Sequence, residues 1–344
     1  MNACQRVLIL GALAMAAVLS NSCEKETYSP EKAALAAGRD LIMQGIVEDR
    51  SAVLALLEKR DFIALEKRAS DLRTQNSRYE NGAWKLDHFY QAILLDRTAS
   101  SELWMPREAL HRAWSEAFPQ SVTAQSAESA FWLEYAWHAR GSGFANEVSP
   151  EQWQEFESRL ARARERLMAS LGDCPQRDLI FMRIALASQS SVATFRQLFE
   201  NAKMREPSYL AHDLMQAQFL MTDWYGEPGD WEAAALAEIN RPSGLGVSGY
   251  ALVVRDRRPF FDDVFRDTQA SWALTRQGFE QLTQAHPASL ELLNAYARLA
   301  CIAQDADLAH SLFEKIDNRI VLESWGERKR FVQMRNWARD SAKR

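Results

Sequence analysis

Asp223-Trp224-Tyr225-Gly226-Glu227-Pro228-Gly229-Asp230-Trp231 is the stretch of this 344-residue chain richest in groups that could do chemistry. Carboxylates and aromatics share a turn punctuated by Pro and Gly. Aromatic faces beside carboxylates bind a sugar, a cation or a peptide. Carboxylates at a suitable separation also serve as acid and base in hydrolysis, with Asp223, Glu227 or Asp230 in those roles near His212. The plainer alternative is a turn whose rings plug the gap between two helices, with Asp230 capping the helix at Trp231. The candidate contacts for a ligand or partner are Tyr209, Trp224, Tyr225, Glu227, Asp230 and Trp231. No residue is assigned a catalytic role.

Other motifs are weaker. Gly244-Leu245-Gly246-Val247-Ser248-Gly249 matches the dinucleotide fingerprint as a bare pattern, but it follows a helix and not a strand, so it reads as a loop. His88, His111, His138, His212, His286 and His310 show no metal-ligand spacing such as His-Glu-x-x-His. Gly141-Ser142-Gly143 lacks the spacing of a nucleophile elbow. These patterns call for no metal and no cofactor. Phe131, Trp132, Tyr135 and Trp137 read as core.

The first 23 residues read as an address. Arg6 precedes an uncharged, mostly apolar run from Val7 to Leu19, and Ser20, Asn21, Ser22 and Cys23 follow. A positive start, a 7–15-residue apolar region and small residues at the cut form a secretory signal. A Cys directly after the cleavage point resembles the lipobox of bacterial lipoproteins, although Leu19 stands one place earlier than the usual Leu. The resemblance implies a lipid on Cys23 and a place in the bacterial cell envelope, on the periplasmic side. Ordinary signal-peptidase cleavage would instead leave a secreted or soluble periplasmic protein. The apolar run is short of the about 20 residues a membrane helix needs.

The chain is 47% hydrophobic and 25% charged, which is a globular composition. Its net charge of −5 argues against nucleic-acid binding. Abundant Ala, Leu, Glu and Arg with only 14 Gly favour helices. Cys174 and Cys301 read as two separate thiols.

Ser29-Pro30-Glu31 and Ser149-Pro150-Glu151-Gln152 both read as helix starts, the second with a capping box. After Ser149, the residues Trp153, Phe156, Leu160, Ala163 and Leu167 form one apolar stripe. Arg159, Arg162, Arg164 and Arg166 lie off it and read as a solvated face. So does the terminal cluster of Arg328, Lys329, Arg330, Arg335 and Arg339, with a patch for anionic lipid as its second reading. Further helices are expected at about 31–48, 52–59, 62–74, 84–98, 105–117, 121–140, 178–187, 192–204, 208–221, 230–239, 264–285, 289–303, 306–316 and 326–340. Tyr250 to Arg255 is the one β-like patch.

Phe279-Glu280-Gln281-Leu282 recurs 34 residues later as Phe313-Glu314-Lys315-Ile316. Phe199 to Pro207 and Phe279 to Pro287 share a longer pattern. Between Pro287 and Phe313, Leu293, Tyr296, Ala297 and Ala300 face one way, with Ala309 and Phe313 opposite. This resembles one tetratricopeptide repeat, whose usual length is 34, with Val321 where the closing proline would stand. Three further segments carry a second resemblance: Gly82-Ala83-Trp84-Lys85-Leu86, Tyr135-Ala136-Trp137-His138-Ala139-Arg140-Gly141, and Trp224 to Asp230. They resemble a bacterial family, domain of unknown function 4034, over roughly 50–255. The resemblance implies a helical-repeat neighbourhood and no known activity.

The expected fold is all-α, an irregular tetratricopeptide-like array of stacked antiparallel helix pairs. The expected organisation is a signal peptide over 1–22, a tether over 23–30, a helical domain over 31–255 and C-terminal repeats over 256–344. The expected function is a non-enzymatic envelope lipoprotein that binds a protein or peptide partner, with the membrane reached through the lipid on Cys23. A hydrolase or carbohydrate-acting enzyme using the 223–230 acids is the alternative.

Overall fold

A computed structural model describes residues 41–143 and 145–342. The signal peptide, Cys23, the tether and the Ser29-Pro30-Glu31 helix start lie outside the described residues. Among the described residues the chain is all-α, with seventeen α-helices, no strand and one isolated bridge between Arg78 and Trp84. The helices are α1 (Leu41–Glu58), α2 (Phe62–Thr74), α3 (Lys85–Ile93), α4 (Trp104–Ala117), α5 (Val122–Arg140), α6 (Pro150–Ala169), α7 (Pro175–Ala187), α8 (Val192–Arg205) and α9 (Leu210–Phe219). They continue as α10 (Asp230–Glu238), α11 (Gly246–Arg257), α12 (Val264–Asp267), α13 (Trp272–Ala285), α14 (Leu290–Ile302), α15 (Ala306–Ile316), α16 (Leu322–Trp325) and α17 (Arg328–Ser341). None is long and apolar enough to cross a membrane.

Local chemistry sets many of the helix starts. The capping box at Ser149 forms as the sequence indicates: Ser149 Oγ accepts from the Gln152 N–H at 3.2 Å, and Gln152 Oε1 accepts from the Ser149 N–H at 2.9 Å. Side-chain oxygens of Asp61, Ser121, Ser191, Ser271, Ser289 and Asp305 cap six further helices. Each such cap contributes about 1 kcal/mol by satisfying orphan N–H groups.

Three expectations are corrected. The segments expected at 31–48 and 52–59 are continuous where described, as α1. The stretch 264–285 breaks at Thr268–Ser271, where Thr268 folds its hydroxyl back onto the Val264 carbonyl and Ser271 starts a new helix. The β-like patch Tyr250 to Arg255 is helical, within α11, because Tyr250, Val253 and Val254 bury against helical neighbours. Packing overrides the weak strand preference of two valines. Pro259 sits in a short 3₁₀ turn, Arg258–Phe260.

The chain forms two compact units. The first comprises Ile46–Tyr79 and Ala83–Glu227; the second takes Glu80–Gly82 and the chain from Pro228 onward. In the first unit, α5 is enclosed along most of its length, with Gln125, Ser126, Glu128, Ser129 and Glu134 buried beside Phe131, Trp132 and Leu133. Phe156, Leu160, Ala163 and Leu167 of α6 cover one side of it, the stripe the sequence shows. Leu65, Leu86, Phe89, Tyr90, Ile93 and Trp114 form a second core, and Phe195, Phe199, Met215 and Phe219 a third.

In the second unit α11 and α13 cross closely at Gly278, where an added Cβ would lie 2.4 Å from the Val247 carbonyl oxygen. Only hydrogen fits there. Ala297 and Ala309 are fully buried between α14 and α15, and Phe279 stacks on Tyr296 at 5.3 Å. The fully buried Asn294 uses all its hydrogen-bonding capacity: its amide donates to the Leu290 and Arg319 carbonyls, and its oxygen accepts from the Val321 N–H and Trp325 Nε1. Phe313, Trp325 and Phe331 close the apolar space beyond, with ring centroids 5.2–5.4 Å apart.

Candidate functional site

Helices α5 and α6 run antiparallel in a fixed register. Glu128 meets Arg166 at 3.1 Å, Trp132 lies under Arg162 at 4.7 Å, and Tyr135 lies under Arg159 at 3.5 Å. Positions climb on one helix as they fall on the other. Arg159 also donates to the Tyr135 carbonyl at 2.9 Å. These arginines, expected as a solvated face, stack on aromatic rings or pair with a buried acid. The signal was present as a mirrored spacing: steps of four then three in 128-132-135, three then four in 159-162-166. A guanidinium over a ring contributes about 0.5–1 kcal/mol at exposed sites.

The mesh continues to the end of α5. Trp104 is sealed, stacked on Tyr135 and His138 at 4.8 Å each. His138 Nδ1 pairs with the Arg97 carbonyl at 2.8 Å. Trp137 is half-buried, with the Arg97 guanidinium 5.0 Å and that of Arg140 5.7 Å from its centroid. Arg140 also lies 5.3 Å from Trp153. Trp224 meets Trp137 edge-on at 6.1 Å. Beneath this surface Glu134 is buried between Arg97 at 2.6 Å and Arg183. Burial alone would raise its carboxyl, but the two guanidiniums outweigh it and hold the group at about 2.

The structure separates the sequence candidates. Trp224 and Tyr225 are half-buried on the mesh, with the Tyr225 hydroxyl donating to the Leu186 carbonyl at 2.9 Å. Asp223, Glu227 and Asp230 are exposed. Tyr209 and Trp231, offered by the sequence as surface contacts, turn inward, with Tyr209 wholly buried and Trp231 4% exposed. The helix at Trp231 starts from Gly229 in the left-handed conformation, with Asp230 in its first turn and not as its cap. His212 is sealed, and its Nε2 engages the Pro175 carbonyl at 2.9 Å. Burial lowers its pKa to about 3, so it is neutral.

Tyr209 belongs to a polar cluster that sequence reading missed. Its hydroxyl faces Asp87 and Gln176 Oε1, the latter at 3.0 Å, while Trp84 packs edge-on against its ring at 5.1 Å. Burial raises the Asp87 carboxyl to about 6 against the opposing Tyr209 hydrogen bond and Arg78 charge. Tyr90 and Cys174 lie close by, 3.8 Å apart from oxygen to sulfur. Cys174 and Cys301 are both free, buried thiols.

Residues 50–219 match the model of a family described as domain of unknown function (DUF4034). Most of the α5–α6 mesh, the Asp87–Tyr209 cluster and all three cores of the first unit fall within the DUF4034 segment; Trp224 and Tyr225 lie just beyond it. No curated protein and no solved structure matches the chain. Among the described residues no group of three or more His, Cys, Asp or Glu side chains could hold a metal ion. Gly246 opens α11 at φ +58°, so the glycine motif initiates a helix after a turn, with no preceding strand.

Proposed function

We propose that this chain is a helical-repeat interaction scaffold that binds a protein or peptide partner. One observation carries the reading: Trp137, Trp153, Trp224 and Tyr225 are held half-buried with Arg97 and Arg140 beside them. Trp, Tyr and Arg dominate interface hot spots because they bring large area and directed donors at low entropic cost. The tetratricopeptide-like character is part of the proposal. The α8–α9 and α13–α14 pairs support it: each places a buried Phe, Phe199 or Phe279, on its first helix, and Pro207 or Pro287 in a four-residue connection. So is the location, a bacterial envelope lipoprotein with a lipid on Cys23.

Cross-linking and pull-down of the intact protein test the binding role. Wild type recovers a partner above background; Trp224→Ala and Arg140→Glu, at unchanged thermal stability, lose it. Equal recovery by both variants, or no partner for wild type, overturns the reading. Metabolic labelling with a fatty-acid probe tests the anchor: label enters wild type and not Cys23→Ser.

A further inference from the structure

A narrow cleft opens in the first unit between α1, α2 and α3, away from the aromatic mesh. Val53, Leu72 and Phe89 line its apolar part, and Asp49, Arg50, Arg68, Tyr79, Lys85 and His88 its polar part. Three permanent cations thus share one carboxylate.

That carboxylate is already engaged. Asp49 accepts from Arg68 at 2.7 Å and from the Tyr79 hydroxyl at 3.0 Å, and Lys85 Nζ lies 3.7 Å away. Lys85 also sits over the Tyr79 ring at 4.8 Å, and Tyr79 meets His88 edge-on. Arg50 differs from the other two cations. It is half-buried, and no hydrogen bond or ion pair holds its guanidinium among the described residues. Burial lowers its pKa, with the Tyr79 oxygen as the opposing influence. A guanidinium offers five donors in a planar fork, and withdrawing it from water without an acceptor is unfavourable. Among the described residues that line the cleft, three cations around one engaged carboxylate leave an excess of positive charge.

We propose that this cleft binds a single oxyanionic group, a phosphate or a carboxylate, with Arg50 as its main donor and Lys85 and Arg68 as supporting charges. Asp49 then positions Arg68 and Lys85 and is not itself a ligand contact. The enclosed space is only about 10 Å³, about that of one water, so the anionic group sits at the mouth of the cleft with the rest of the ligand outside.

Calorimetric titration of the full chain with inorganic phosphate and with acetate tests this. Wild type binds one equivalent of at least one probe saturably, and added salt weakens the binding. Tighter phosphate binding identifies a phosphorylated ligand; tighter acetate binding identifies a carboxylate. Arg50→Gln binds about ten- to a hundredfold more weakly, and Arg339→Gln, on the terminal helix, binds as wild type. Without ligand, Arg50→Gln unfolds at the same temperature as wild type or higher, since an unpaired charge has been removed. A structural role for Arg50 would instead lower that temperature. No saturable binding of either probe, undiminished binding by Arg50→Gln, or a lowered unfolding temperature of that variant overturns the proposal. Arg50→Lys, which keeps the charge and loses the fork, binds with intermediate affinity if the site is as described. These outcomes are independent of partner capture by the aromatic mesh.

Discussion

Asp87→Asn should make the protein more stable at alkaline pH and leave it nearly unchanged in acid. Burial raises the Asp87 carboxyl from 3.8 to about 6. The fold therefore prefers the neutral acid. The stabilisation from this group is complete below about pH 4 and is lost as pH rises through about 6. At about 1.4 kcal/mol per pH unit, the ionised carboxylate costs the fold up to about 3 kcal/mol at pH 8. Asparagine has the same shape, cannot ionise, and keeps an oxygen to accept from the Tyr209 hydroxyl. The Tyr209 bond to the carboxylate is already contained in the net shift, so the variant gains up to about 3 kcal/mol over wild type at pH 8. Urea unfolding at pH 4 and pH 8, followed by far-ultraviolet circular dichroism at equal m-value, reads the difference. A variant effect equal at the two pH values, or a loss of stability that appears only at pH 8, would refute the reasoning.

Other perturbations follow from the same geometry. Glu134→Gln leaves Arg97 and Arg183 facing a neutral amide and should cost about 3–5 kcal/mol at pH 7 in urea unfolding. In wild type that contribution is complete above pH 4.5 and is lost as the pH falls through about 2. His111 is held neutral by burial, with its pKa lowered to about 3, and its Nε2 engages the Ile93 carbonyl at 3.1 Å. Its contribution is present above 6.5 and is lost as pH falls below that value, by about 2 kcal/mol at pH 5. His111→Gln should flatten the stability profile between pH 6.5 and 5, whatever its effect on absolute stability. Gly278→Ala drives a methyl against the Val247 carbonyl and should cost about 1–3 kcal/mol, partly offset by about 1 kcal/mol of helix propensity. Thermal unfolding measures the balance, and a stabilised variant would show that α11 and α13 separate freely.

The fold was legible where local chemistry and packing agree. Ser149-Pro150-Glu151-Gln152 and the stripe from Phe156 to Leu167 state a helix start and its buried face in one short stretch. Tyr250 to Arg255 was misread because two adjacent valines carry a strand preference that only their helical neighbours overrule. The candidate site was half legible. Trp224 and Tyr225 reach the surface that an aromatic-rich turn suggests, whereas Tyr209 gives no sign in sequence of its burial against Asp87, a residue 122 positions away. The cleft at Arg50 was invisible for a related reason: its cations come from three helices and carry no common spacing. Val321, where the sequence comparison with a tetratricopeptide repeat would expect proline, has a physical account. Its N–H donates to Asn294 Oδ1 at 3.2 Å, and proline has no such donor.

The register between α5 and α6 bears on how a partner would be chosen. A slip of one turn, about 5.4 Å, would set Trp132 against Ser158 and Tyr135 against Glu155. Both ring–guanidinium stacks would be lost, and Arg162 would take the place of Arg166 at the buried Glu128. The native setting is the one that keeps both stacks and the Arg166–Glu128 pair together, so sliding would weaken the support of the rings at the end. Any molecule that docks there must match a stiff template, with adaptation confined to side-chain rotation. A stiff template loses little entropy on binding, so discrimination between partners would appear chiefly in how long each one stays.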